Sequence, residues 1–241
     1  MSRQPPIRIA HGYGNRRRLL EQALARPVDY VEADIWYRAG RVWVRHEQRL
    51  GIFPILYDQR GSQPSIGPYA VSLGPWYVRL DSHPFSLEEL LARVKGRCGV
   101  LLDVKGLYRP ADQRAFAVTL ARLLAEHSME QQARTCGQNW AVLQEVRQVA
   151  PHLTTHFSIE TPQQWGTFVR QFGAGDPVDG VCLQRSLIDE EKTRWLTERG
   201  IQTFSWTVDQ DEEARRLLAL GIAGIISNNL ALLGQLQALV T

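Results

Sequence analysis

Short apolar runs recur along the chain, and most are followed by a stretch in which apolar residues return every three or four positions, the period of an amphipathic helix. Ile7-Arg8-Ile9-Ala10 opens the series as a strand, and Asn15 stands where a side-chain cap would start a helix over residues 16–25, which Pro27 ends. Residues 30–35 read as the second strand, and residues 41–46 as a short extended piece reached through the turn at Ala39-Gly40. In that piece His46 shares a face with Val42 and Val44, while Trp43, Arg45 and Glu47 point the other way. From 50 to 80 the pattern is broken by Pro54, Gly61, Pro64, Gly67, Pro68, Gly74 and Pro75, with no sustained period, so an insertion or lid-like loop without clear elements is expected. Ser86 with Glu89 three residues on reads as a capping box for a helix over 84–91, and residues 99–105 form an apolar strand ending in charge, with Asp103 and Lys105 on one face.

The second half is more regular. Helices are predicted over 110–126, 140–149, 161–172, 189–199, 211–220 and 230–239, alternating with strands over 134–136, 153–159, 181–183, 202–208 and 222–227. Thr161 supplies a cap, Pro151 stops one helix, and Gly200 closes another. Strands at Ile7, Tyr30, Val100, Arg134, Thr154, Val181, Thr203 and Ile225 number eight, each followed by a helix. That alternation predicts the α/β class, as one domain over 1–241 folded as a (β/α)8 TIM barrel.

Composition changes the picture little. The chain is 44% hydrophobic and 22% charged, ordinary globular values, and its net charge of +3 mildly favours anionic substrates. Arg16-Arg17-Arg18 is the only dense basic cluster, which excludes a nucleic-acid footprint. Cys98, Cys136 and Cys182 are odd in number and far apart, so they read as small buried hydrophobes in a reducing compartment. With no signal-like N-terminus and no long apolar run, a cytoplasmic, soluble protein is expected.

The candidate chemistry starts at Glu32 and Asp34, which project from one face of a strand. Two carboxylates close together are costly unless a cation or a shared proton compensates them, and a hard divalent ion is the simplest answer. A barrel places chemistry at the C-terminal ends of its strands, which would gather His11, Glu32, Asp34, Asp103, Lys105 and Trp206 around one mouth.

His11, Glu32-Ala33-Asp34, His46, Asp103-Val104-Lys105 and Trp206-Thr207-Val208, in that order, resemble the glycerophosphodiester phosphodiesterase superfamily, which includes the spider-venom type phospholipase D enzymes. The resemblance runs from Ile9 to about Leu233. It implies a divalent metal, Mg or Ca, held by Glu32, Asp34 and Asp103, since oxygen-only ligands suit those ions. It further implies His11 as base or nucleophile, His46 as acid to the leaving alcohol, Lys105 as a charge-stabilising catalytic group, and Trp206 and Asn228 as substrate contacts. His83, His127, His152 and His156 lack such company and read as surface or structural.

The chain also departs from the hydrolase branch. That branch usually carries a phosphate-binding Arg where Gly12 stands, Glu where Asp103 stands, and Asp where Glu47 stands. Lys105 remains, with Arg16, Arg45 and Arg49 as candidates to compensate. Asn15, Asp103 and Asn228 resemble the venom-type branch. The implied function is cleavage of glycerophosphodiesters or lysophospholipid-like diesters, the alternatives being a lyase that forms a cyclic phosphate, or a catalytically weakened binding barrel. The implied partner is a small-molecule or lipid phosphodiester, with transient contact to a membrane surface. The aromatic-rich insertion, with Tyr57, Tyr69, Trp76 and Tyr77, is expected to be a lid, a lipid-contacting rim or a plain cover for the barrel edge.

Overall fold

The computed structural model describes residues 5–59, 70–80, 85–106, 108–173 and 177–239. β1 (Ile7–Ala10) leads through a tight turn at Tyr13–Asn15 into α1 (Arg17–Leu24), and β2 (Tyr30–Arg38) follows. β3 (Arg41–Val44) folds back antiparallel on β2. β4 (Gln48–Arg49), β5 (Ile55–Gln59), β6 (Ala70–Leu73) and β7 (Trp76–Leu80) build a second, antiparallel sheet in the order β4-β5-β7-β6. The alternation then resumes with α2 (Leu87–Val94), β8 (Gly99–Val104), α3 (Pro110–Glu126), β9 (Ala133–Gly137), α4 (Trp140–Val149) and β10 (Thr154–Ile159). It ends with α5 (Pro162–Phe172), β11 (Gly180–Gln184), α6 (Glu190–Glu198), β12 (Gln202–Trp206), α7 (Asp211–Ala219), β13 (Gly224–Ser227) and α8 (Leu230–Gln235).

β1, β2 and β8 to β13 form a closed parallel ring, which shuts where β1 pairs with both β2 and β13. The chain is thus a single-domain (β/α)8 barrel. Strand alternation divides its core in two. Ile9, Leu101, Cys136, Cys182, Phe204 and Ile226 fill the barrel, while residues of opposite parity such as Val100 and Leu102 pack against apolar helix stripes such as Leu87, Leu90, Leu91 and Val94. A polar set closes the interior below: Arg134 donates to Gln202 Oε1 at 2.6 Å and lies over the Tyr30 and Phe204 rings. His156 stacks on Phe204 at 4.5 Å, and burial, with the Arg134 charge adding to it, pushes its pKa down to about 3. It is structural, as expected, whereas His83 lies outside the described residues. With the lower interior filled, the inward side chains at the C-terminal strand ends are left to line a mouth.

Several local expectations give way. Where described, residues 50–80 carry three strands and are not an element-free loop. Their runs of four or five residues are too short to display a period, and Gly74-Pro75 turns the chain in two residues between the paired Leu73 and Trp76. Residues 60–69, with Gly61, Pro64, Gly67, Pro68 and Tyr69, lie outside the described residues, as does Pro84. Asn15 does not cap α1, whose N-cap is Arg16, with no side-chain hydrogen bond to the helix end. Ser86 accepts from Glu89 N–H as the cap of α2, but the Glu89 carboxylate is taken by Arg17 and Arg93, so the box is half formed. Arg45 and Glu47 do not face outward but are buried, Glu47 being held by Tyr77 and Arg79 of the second sheet and by Arg16. Among the described residues no helix is long and apolar enough to cross a membrane.

The turn after β1 packs directly on β2: a Cβ on Gly14 would stand 2.5 Å from Ala33 Cβ and 2.7 Å from the Glu32 carbonyl oxygen. Gly14→Ala is therefore expected to destabilise the fold by about 1–3 kcal/mol through overpacking. Chemical denaturation measures it, and an unchanged midpoint would refute the close packing.

Candidate active site

Three carboxylates meet at the C-terminal mouth. Asp34 on β2 lies opposite Asp103 on β8 in register, and Glu32 shares the inward face of β2 with Asp34. Glu32, Asp34 and Asp103 each offer an oxygen within 4.8 Å of the others. Lys105, just past β8, brings Nζ to 2.5 Å from Asp103 Oδ2 and 3.0 Å from Asp34 Oδ1. One ammonium thus faces three acids, two of them buried. The consequence divides between them. Burial, reinforced by the charges of Asp34 and Asp103, raises the Glu32 pKa well above the carboxylate range. Burial pushes Asp34 the same way but is outweighed by Lys105, His46 and the Asn15 amide, which hold its pKa down. Lys105 is likewise held charged: burial opposes its charge, and the surrounding acids more than reverse that.

The segment after β1 supplies the donors for these acids. Gly12 adopts a left-handed φ of 70° and donates its N–H to Glu32 Oε2 at 2.5 Å. Asn15 Nδ2 donates to Asp34 Oδ2 at 2.6 Å, and Asn15 Oδ1 accepts from the Asp34 N–H at 2.8 Å. This two-point clamp is why Asn15 is absent from the helix cap.

The surroundings bias the two imidazoles in opposite directions. His11 Nδ1 lies 3.1 Å from Asn228 Oδ1, and the Asn228 amide nitrogen in turn donates to Asp209 Oδ2 at 3.0 Å. With that NH2 committed, the amide presents its oxygen to His11. His11 therefore carries its proton on Nδ1 and leaves the Nε2 lone pair free. Burial lowers its pKa, against the opposing pull of Asp34. His46 bonds through Nδ1 to Asp58 on β5. Burial disfavours its charge, but the Asp58 bond and the charges of Asp34 and Asp58 raise its pKa.

A cavity of about 130 Å³ joins His11, Glu32, Asp34, His46, Asp103 and Lys105, and Trp206 also lines it, its Nε1 donating to the Cys182 carbonyl at 3.2 Å. Cys136 and Cys182 form part of its floor, a place their burial alone does not reveal. A wider groove of about 750 Å³ shares His46, Asp103 and Lys105 and is walled by Trp36 and Trp140. Asn228, read from the sequence as a substrate contact, lies behind His11 as its partner, because Asp209 turns its amide away from the cavity. The candidate substitutes for the missing Arg at position 12 also lie elsewhere. Arg16 pairs with Glu47 at 2.7 Å, Arg49 donates to the Phe53 carbonyl, and buried Arg45 is not among the lining residues.

Asp58, which the sequence did not single out, and Glu47, noted there only as a departure from the family pattern, complete the site. Asp58 comes from the second sheet to hold His46. Glu47, 1% exposed, binds Arg16 and also meets Tyr77 Oη at 3.2 Å and Arg79 at 3.5 Å, fastening β7 to the start of α1.

Comparison with known proteins puts this barrel and its mouth in the class of phosphoric diester hydrolases. The model of the glycerophosphoryl diester phosphodiesterase family matches residues 103–232, more than half of the chain, and the chain belongs to that family. No curated protein sequence matches it. Among solved structures it is similar to a candidate glycerophosphoryl diester phosphodiesterase from Silicibacter pomeroyi, at 19% identity and a TM-score of 0.76, covering 97% of this chain and 94% of that one. A glycerophosphodiester phosphodiesterase from Parabacteroides distasonis shares 15% identity with a TM-score of 0.68, over 98% of each chain. An Oleispira antarctica phosphodiesterase, solved with its product sn-glycerol-3-phosphate, shares 14% identity with a TM-score of 0.71, over 98% of this chain and 97% of that one. At these identities the likeness establishes the shared fold.

The crowding of the acids has a measurable outcome. A carboxyl whose pKa is raised by folding destabilises the native state as pH climbs through its unfolded value, about 4.3 for Glu, and onward until the folded value is reached. Glu32→Gln is expected to stabilise the chelator-treated protein at neutral pH by on the order of 1–4 kcal/mol, the gain vanishing in acid. Thermal unfolding across pH tests this, and equal or lower stability of the variant at pH 7 would contradict it.

Proposed function

We propose that the chain is a divalent-metal-dependent phosphodiesterase that cleaves glycerophosphodiesters or lysophospholipid-like diesters by acid–base catalysis between His11 and His46. The observation that carries this reading is geometric: two imidazoles line one acidic cavity, each held through Nδ1, with the surroundings lowering the pKa of His11 and raising that of His46. General acid–base cleavage near neutral pH needs such a pair.

The donor set fits a hard divalent cation. Its ligands are all oxygen, they are close together, and Glu32 remains undercompensated beside the single ammonium of Lys105. Glu32, Asp34 and Asp103 would hold the ion, Mg or Ca, and it would supply Lewis-acid neutralisation of the non-bridging phosphate oxygens.

The chain's own groups do the rest. Lys105 offers a second positive charge where negative charge accumulates on the phosphoryl group. His11 Nε2 takes the proton of an attacking water as its oxygen bonds to phosphorus. The ester P–O bond to the alcohol breaks, and His46 Nε2–H protonates the departing oxygen. The products are a phosphomonoester and an alcohol, and the latter leaves by the wider groove that His46 borders. Asn228 and Asp58 are positioning residues, each fixing an imidazole through Nδ1 so that Nε2 faces the reaction. Trp206 walls the pocket. A cyclic-phosphate lyase is the second reading, favoured by Gly12, whose backbone stands where the hydrolase branch has a cationic side chain.

His11→Ala and His46→Ala are each expected to lower kcat on glycerophosphocholine by roughly 10²–10⁴-fold with the circular dichroism spectrum retained. Full turnover in either variant would refute its role. Phosphorus NMR separates the two readings: a monoester signal from the outset supports hydrolysis, and a cyclic phosphate from a lysophospholipid supports the lyase. The pH profile of kcat/KM should rise through the lowered pKa of His11, span the ordinary imidazole value of about 6.5, and fall through the raised pKa of His46. Asp58→Asn should move only the alkaline limb, downward. A limb that stays in place would detach Asp58 from His46.

A further inference from the structure

The register of the second sheet assigns each of its side chains to one of two faces. Leu56 opposite Arg79, and Asp58 opposite Tyr77, point toward the barrel, together with Arg49. The other face carries Ile55 opposite Leu80, Tyr57 opposite Val78, Val71 beside Val78, and Leu73 opposite Trp76; its polar members are the uncharged Gln48 and Gln59. This inverts the usual arrangement of a half-covered sheet, in which the apolar face is the buried one. Val71 is 64% exposed, Leu73 58% and Leu80 68%. At the turn between β4 and β5, Leu50, Ile52 and Phe53 are exposed too. Of the eight exposed large hydrophobics among the described residues, seven lie in this insertion, the exception being Val118. A patch so concentrated marks an interaction surface.

Charge and continuity indicate the occupant. In the described segments 38–59 and 70–80 the acids are Glu47 and Asp58, and both turn inward to the Arg16–Arg79 cluster and to His46. The charges left at the rim are arginines: Arg41 is exposed, and half-buried Arg38 donates to the Gly51 carbonyl at the foot of the apolar tip. An apolar tip flanked on one side by Arg38 and by Arg41, the latter lying over the Trp43 ring, matches an interface with acyl chains below and anionic headgroups above. The face is also continuous with the active site, since Gln48 on it lines the wider groove beside His46 and Asp58.

We infer that this sheet face docks the protein on an anionic lipid surface, with Ile52 and Phe53 inserting and Arg38 and Arg41 meeting the headgroups. That the docked protein then takes its diester from the lipid surface rests on the catalytic reading above; the docking itself does not.

The test is co-sedimentation of the full chain with vesicles of phosphatidylcholine alone and of phosphatidylcholine mixed with phosphatidylglycerol, alongside light scattering for mass. Wild type should bind the anionic vesicles at least about tenfold more strongly than the neutral ones and release with added salt. The double variants I52S/F53S and L73S/L80S, altered only at exposed positions, should each lose about tenfold or more in binding. Both should keep wild-type turnover of water-soluble glycerophosphocholine. Wild type remaining in the supernatant with both vesicles, or variants binding as wild type does, would overturn the inference. So would a wild-type dimer that I52S/F53S dissociates, since a second copy would then be the occupant. Vesicle binding without diester turnover would instead sink the catalytic reading and leave the docking face standing.

Discussion

Three carboxylates against one ammonium, in a largely buried mouth, is the constraint that organises this molecule. Like charges at that spacing repel in a medium that screens poorly, so every neighbouring group is recruited to offset them. The backbone N–H of Gly12, the amide of Asn15 and the ammonium of Lys105 all converge on them. The barrel makes this tolerable. Its lower interior is closed by Phe204, His156 and the Arg134–Gln202 bond, so the strained charges sit on a filled plug and are confined to the rim.

The second sheet is the part of the fold that differs most from a bare eight-fold alternation, and it serves the same rim. It brings Asp58 to His46, and Glu47 anchors it through Tyr77, Arg79 and Arg16. The apolar side chains it turns to solvent are the counterpart of the polar ones it turns inward. Because Asp58 and Arg79 are used against His46 and Glu47, strict alternation sends Ile55, Leu73 and Trp76 outward.

The eight strands and their helices were legible because parallel barrel strands are short apolar runs bracketed by periodic helices. The acids, the lysine and His11 were legible because strand parity and the C-terminal-end rule place them without knowledge of long-range pairing, whereas His46 was legible through the order of motifs that the family resemblance supplies. Asn15 was misread for a physical reason: an Asn before a helix suits a cap, and only the closure of β1 on β2 shows that Asp34 lies within its reach. Asp58 and Glu47 were hidden because their partners depend on how short strands register, which no local period encodes. Asn228 was correctly seen at a strand end, but which way its amide faces is decided by Asp209.

Among the described residues, the sheet that supplies Asp58 shares no strand pairing with the barrel. Such a unit can open as a foldon while the eight-stranded ring stays shut, at a free energy below that of global unfolding. Each opening parts Asp58 from His46 and removes the carboxylate that favours the imidazolium. Local hydrogen-exchange protection in β5 and β7 and the acidity of the imidazole are then two views of a single equilibrium, so whatever steadies this small sheet also sets how readily His46 gives up its proton.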